Sequence, residues 1–267
     1  KLDWSSPTTL TRSTLRSTVA GIGRKGSMDI GHVAINLKCS TTEKWAGMSR
    51  QNKGESLDLV LRRGAGMGTL LHNFQGKLDS SNEIQEWVQI HADRGTLRVV
   101  DFQVSSTECE ELLNVLTDYE SSNQQYNYGL SNNPFHGEGS GCSAFGAYFT
   151  EVSGHLDEQT KSAWSHTVYI PNSLIGPHHQ VRYDFVHRQP HRSEKEFNHI
   201  RFLSLYFRNH LWDTEDSSDA TSLFFFSPDR MYEWAESMRH AEGTPDGPVA
   251  VIPEGNGWRL IFEATQP

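Results

Sequence analysis

From Ile30 to Cys39 the chain alternates, with Val33, Ile35 and Leu37 apolar against Ala34, Asn36 and Lys38, the period-two signature of a half-buried strand with His32 at its mouth. The same alternation predicts strands at Ser56–Arg62 and, after the glycine-rich turn Gly64–Gly68, at Thr69–Phe74. Two more are predicted at Trp87–His91 and Thr96–Phe102, joined by a hairpin turn over Ala92–Gly95. Residues Ser40–Glu55 are polar and read as a loop. The pattern then changes period. Ser105 with Glu108 three residues on is a capping box, and Leu112, Leu113, Val115, Leu116 and Tyr119 keep helical spacing behind it. A turn-rich loop, Tyr126–Glu138, leads into small residues and Cys142, beyond which Phe145 and Phe149 form the apolar stripe of a second helix.

Beyond Gly154 strands are predicted at Thr167–Pro171, Val181–Val186 and Leu223–Phe226. Ile200–Leu211 suits either strand or helix. Ser227 and Pro228 mark a helix start, and Gly247–Pro253 with Gly257–Phe262 a terminal hairpin. Upstream, Lys1–Lys25 carries only Leu10, Leu15 and Val19 as periodic positions, which suggests an extended arm with a short helix. The glycine run at Gly64–Gly68 lacks the spacing of a phosphate loop, and no predicted helix follows it.

Composition narrows the classes. The chain has 267 residues, 36% of them hydrophobic, with seven Trp and 13 Phe, enough for a substantial core. A net charge of −9 without any large basic cluster argues against nucleic acid as a partner. No apolar run reaches the roughly 20 residues that cross a bilayer. The chain starts at Lys1 rather than Met, which suits a mature or trimmed start, and an exported location is favoured over a cytoplasmic one.

Two constellations carry chemistry. Cys142 opens a predicted helix, where unpaired N–H groups and the positive end of the helix dipole favour thiolate over thiol. Of the three cysteines, Cys39 and Cys109 would pair in an oxidising compartment and leave Cys142 free, because only Cys142 has the surroundings of a nucleophile. The second is His178, His179, His187, His191 and His199 with Asp184 and Glu194. Without HExxH or paired CxxC spacing it reads as a solvated polar face, so neither a metal nor a cofactor is expected.

The order Gly31-His32-Val33-Ala34-Ile35, further strands, a Ser-capped helix, Tyr126 with Tyr128, then Cys142-Ser143-Ala144-Phe145 resembles the circularly permuted, NlpC-like branch of the papain-fold cysteine hydrolases. The resemblance covers under half of the chain. It departs at Gly141, where the family often has Asn, and in the insertion Pro134–Gly141. It implies an α+β fold with an antiparallel sheet packed on helices: an N-terminal arm over 1–27, a papain-like core over 28–153, and a C-terminal α/β extension over 154–267. It further implies a thiol hydrolase with Cys142 as nucleophile and His32 as base, cleaving an amide bond in a peptide or peptidoglycan-like stem. A third polar group should orient the imidazole; His72 is preferred and Asp58 is the alternative. Tyr126, Tyr128 and Ser143 are candidates for contact with substrate. Two other functions remain open: a lipid acyl hydrolase or acyltransferase using the same dyad, and an inactive binding module.

Overall fold

A computed structural model describes residues 1–21, 31–52, 54–178, 198–244, 247–254 and 256–263. It is a mixed α+β structure of three small sheets and their helices. The first sheet contains β1 (Ala34–Cys39), β2 (Thr42–Arg50), β3 (Phe74–Leu78) and β5 (Asn127–Tyr128) in the order β1-β2-β3-β5, antiparallel throughout. The alternation along β1 is real: Leu37 and Cys39 are buried, while Asn36 and Lys38 face solvent.

Several expectations are corrected here. Residues 42–50 form β2 rather than a loop. A two-residue turn with Ser40 at φ 43° folds them back on β1, and only Ala46, Gly47 and Met48 are buried. Residues 55–61 form helix α2 (Glu55–Leu61) rather than a strand. The alternation of leucines there fits a helix equally well, since Leu57 and Leu61 lie one turn apart and exposed while Leu59 is buried. Met67–Leu71 is a 3₁₀ turn, and the strand starts only at Phe74. Trp87–His91 belongs to helix α3 (Ser81–Asp93), whose N-terminus carries a capping box of Ser80 and Glu83. The N-terminal arm is mostly helix, α1 (Pro7–Gly21).

Other expectations hold. Helix α4 (Ser106–Ser121) has the expected Ser105–Glu108 capping box and buries Cys109, Leu112, Leu116 and Tyr119. Helix α5 (Cys142–Val152) begins at the cysteine and buries Phe145 and Phe149 in the same cluster. Phe145 is completely buried, worth about 2–3 kcal/mol by area. Cys39 and Cys109 form a disulfide that ties β1 to α4 across 70 residues, and Cys142 is free. Chain entropy alone assigns a loop of that size about 4 kcal/mol.

β4 (Arg98–Phe102) pairs in parallel with β9 (Gly257–Phe262), which is antiparallel to β8 (Ala250–Glu254), so the boundary expected at 153/154 is crossed by a sheet. Helix α6 (Glu158–Trp164) leads into β6 (Ser165–Pro171), which pairs with β7 (Ala220–Phe226), and α8 (Pro228–Met238) starts at the expected Ser-Pro. The ambiguous stretch after Ile200 is helical, α7 (Phe202–Phe207). The strand expected at Val181–Val186 lies outside the described residues. None of the described helices is long and apolar enough to cross a membrane.

Candidate active site

Cys142 is the first residue of α5, and its N-cap, Gly141, has no side chain with which to cap the helix. The first-turn N–H groups are therefore left for the sulfur or for a ligand. The approach to this position is built from glycines and buried polar contacts. Gly139 has φ +78°, and a Cβ there would lie 2.4 Å from the Asn127 carbonyl oxygen. Ser140 donates its N–H to that carbonyl at 3.2 Å, and its hydroxyl meets the Tyr119 hydroxyl at 2.8 Å in the interior. These bonds fix Asn127, and hence Tyr128, beside the cysteine.

Two contacts set α5 in place. Ser143 donates its hydroxyl to the Phe226 carbonyl at 2.6 Å, anchoring the helix to β7. Gly146 lies so close to the start of β1 that a Cβ on it would sit 2.6 Å from Val33 Cγ1. That close approach, one turn after Cys142, brings the sulfur to the mouth of β1, beside the Val33 N–H and the His32 imidazole. Cys142 keeps 7% of its surface, so the thiol lies at the floor of the site.

The imidazole of His32 is held from its other side. Its Nε2 lies 3.6 Å from Asp79 Oδ2, with the histidine side chain 23% exposed and the aspartate 12%. Asp79 immediately follows β3, and its N–H donates to the Gly47 carbonyl at 2.8 Å. Its Oδ1 accepts from the Ser49 hydroxyl at 2.6 Å and lies 3.5 Å from Lys77 Nζ. Trp87 of α3 sets its ring edge-on to His32 at 5.3 Å.

The charges follow from this packing. Burial alone would depress His32, but hydrogen bonds to Asp79 and Cys142, and the negative charge of both, raise it to about 10. Burial likewise opposes a Cys142 thiolate, yet the hydrogen bond and charge of His32, the Val33 N–H and the Tyr128 hydroxyl lower the thiol below its ordinary 9.0. Asp79 is lowered despite burial, by His32 and Ser49. Both shifts favour a thiolate–imidazolium pair over the neutral pair, with a carboxylate behind it. The Tyr128 hydroxyl meets the sulfur and accepts the Cys142 backbone N–H; burial and the nearby sulfur push it up.

Of the residues singled out from sequence, the structure brings together Cys142, His32 and Tyr128. His72 is a correction: it stands at the far end of β3 from Asp79, 1% exposed in its side chain, with Nε2 3.4 Å from Glu55 Oε1 and its ring against Phe74. The five strand residues between these ends span roughly 16 Å. Asp58 is on the surface of α2 beside Arg62, at 3.4 Å. Ser143 is buried with its hydroxyl spent on Phe226, and Tyr126 is half exposed at 50%. Sequence reasoning missed Asp79, Ser49 and Trp87. The available signal was the Ser80–Glu83 capping box, which ends the preceding strand and leaves Asp79 at its tip.

The histidine cluster is only partly described. His178 donates Nδ1 to the Gly176 carbonyl at 2.9 Å and His199 donates Nε2 to the Arg62 carbonyl at 3.2 Å; His179, His187 and His191 lie outside the described residues. Among the described residues, no group of three His, Cys, Asp or Glu side chains is arranged to hold a metal ion. Comparison of the chain with protein-family models, with curated proteins and with solved structures finds no match.

Proposed function

We propose that this chain is a thiol hydrolase of papain-like, permuted architecture, with Cys142 as nucleophile, His32 as acid and base, and Asp79 orienting the imidazole. Within that class it is an NlpC-like amidase acting on a peptide or a cell-wall peptide stem. The observation that carries the reading is one imidazole set beside a helix-N-terminal thiol, with a half-buried carboxylate 3.6 Å behind it.

The reaction follows from the placement of groups. The Cys142 thiolate attacks the acyl carbon, and the carbonyl π electrons move to oxygen. The Tyr128 hydroxyl beside the sulfur is the side-chain donor available to the resulting oxyanion. His32 gives its proton to the departing amine as the C–N bond breaks, leaving a thioester. His32, now neutral, takes a proton from water; the hydroxide attacks the thioester, and the acid leaves as the thiolate is restored. Arg50, His32, Asp79 and Tyr128 make a polar setting that suits a peptide amide better than a lipid chain. The disulfide is consistent with an oxidising location.

The test is labelling with a peptidyl electrophile that acylates thiols, followed by mapping of the adduct. We expect one adduct, on Cys142, blocking turnover of a peptide-amide library. An unmodified Cys142 in folded protein would sink the reading.

A further inference from the structure

Arg50 is the last residue of β2 and pairs with Gly76, two positions from Phe74 on β3. Phe74 in turn lies directly opposite Tyr128 on β5. Side chains two apart on a strand, and those directly opposed across a pair, share a face, so Arg50, Phe74 and Tyr128 stand on one side of the sheet. Gly76 keeps the ground between them clear: a Cβ there would be 3.2 Å from both Met48 Cε and Tyr128 Cβ. The guanidinium lies over the Phe74 ring at 5.1 Å, and its charge acts on the Tyr128 hydroxyl that touches Cys142.

Arg50 is half-buried, yet among the described residues no carboxylate comes within 4.0 Å of it. The carboxylates nearby are engaged elsewhere: Glu55 faces His72 at 3.4 Å and Asp79 faces His32 at 3.6 Å. A half-buried arginine beside the thiol, with an aromatic ring beneath it and no carboxylate within 4.0 Å among the described residues, presents the planar donor fork that matches a carboxylate.

We infer that Arg50 is a specificity-determining residue that holds a carboxylate of the substrate close to the bond being cleaved. The inference rests on the thiol-hydrolase reading and adds the substrate class to it: acyl compounds carrying a negative charge near the scissile amide. The Phe74 ring supports the guanidinium from below and leaves its N–H edge for the ligand.

The test compares two electrophiles with the same reactive carbon, N-iodoacetylglycine and N-iodoacetylglycinamide, which differ only in a terminal carboxylate. Cys142 is the single thiol left by the Cys39–Cys109 disulfide, so every alkylation event is read at one site. The His32 imidazolium also attracts anions, so the readout is how the ratio of the two rates changes when Arg50 is lost. Arg50→Gln should lower the acid reagent's rate about tenfold and leave the amide reagent's rate within about twofold, with Arg50→Lys retaining most of the preference. Should Arg50→Gln disturb the fold, Arg50→Met keeps an apolar stem over Phe74 and is put to the same ratio. An unchanged ratio, or an equal slowing of both reagents, would overturn the inference. If wild-type protein reacts with the amide reagent no faster than free cysteine, the activated thiol itself fails, and the inference falls with it.

Discussion

β3 carries a histidine–carboxylate pair near each of its ends, and the two look alike until their surroundings are compared. At one end His32 lies 3.6 Å from Asp79; at the other His72 lies 3.4 Å from Glu55. Both imidazoles are withdrawn from water, and both carry an aromatic ring at their side, Trp87 for His32 and Phe74 for His72. Only His32 meets a thiol, because Gly146 lets α5 approach β1 at that end. An imidazole beside a carboxylate is therefore a common structural unit. At His32 a third element, α5, sets a thiol beside the pair.

The sharpest way to break this comparison is to delete each ring in turn. His32→Ala should slow alkylation of Cys142 by iodoacetamide about a hundredfold at pH 6, since the thiol returns toward its ordinary range. His72→Ala should leave that rate within about twofold and show itself in a lowered Tm, because it empties a buried site. Equal losses in the two variants would erase the distinction.

A smaller effect sharpens it. Asp79→Asn removes the charge behind His32 and should slow alkylation about tenfold. Turnover of the peptide amide should rise as the lowered Cys142 thiol ionises and fall near pH 10, where His32 loses the proton the departing amine needs; in Asp79→Asn the alkaline limb should move to lower pH. Stability follows the same groups. The His32 contribution is complete below its ordinary 6.5 and is lost as pH rises through about 10. The Asp79 contribution is present above its ordinary 3.8 and is lost as pH falls through its lower folded value. Turnover and Tm across pH 3 to 11 read both, and an alkaline limb of turnover unmoved in Asp79→Asn would show that the carboxylate does not act on the imidazole.

The smallest change concerns the approach of the helix. Gly146→Ala places a methyl 2.6 Å from Val33 Cγ1, so α5 or β1 must give way. The expected cost is about 1–3 kcal/mol in urea unfolding. Alkylation should slow as the sulfur draws back from His32. A variant as stable and as reactive as wild type would show that the contact does not set the distance.

Legibility in the sequence was uneven for identifiable reasons. Helices α4 and α5 were plain, because a capping box and a run of small residues ending at Cys142 are local signals. Helix α3 has the same kind of cap, Ser80 with Glu83, but the period-two look of Trp87–His91 masked it. β2 lacked the signature of a strand, since Thr42–Trp45 is mostly polar and gains its place only by pairing with β1. His72 and Asp58 were the candidates because the stretches that hold them both read as strand, and Asp79 was not among them. Once the strand starts at Phe74, its other tip, not its beginning, lies level with Gly47 and the mouth of β1.

The sequence by itself determined Cys142 at the start of its helix and the strand that His32 precedes, because each is written in residues adjacent along the chain. Which carboxylate stands behind the histidine, and which side chains share the floor with the thiol, was decided by strand register and by the distance at which α5 rests on β1. Those depend on pairings between segments tens of residues apart, whose energies come from burial and hydrogen bonds that exist only once the segments have met.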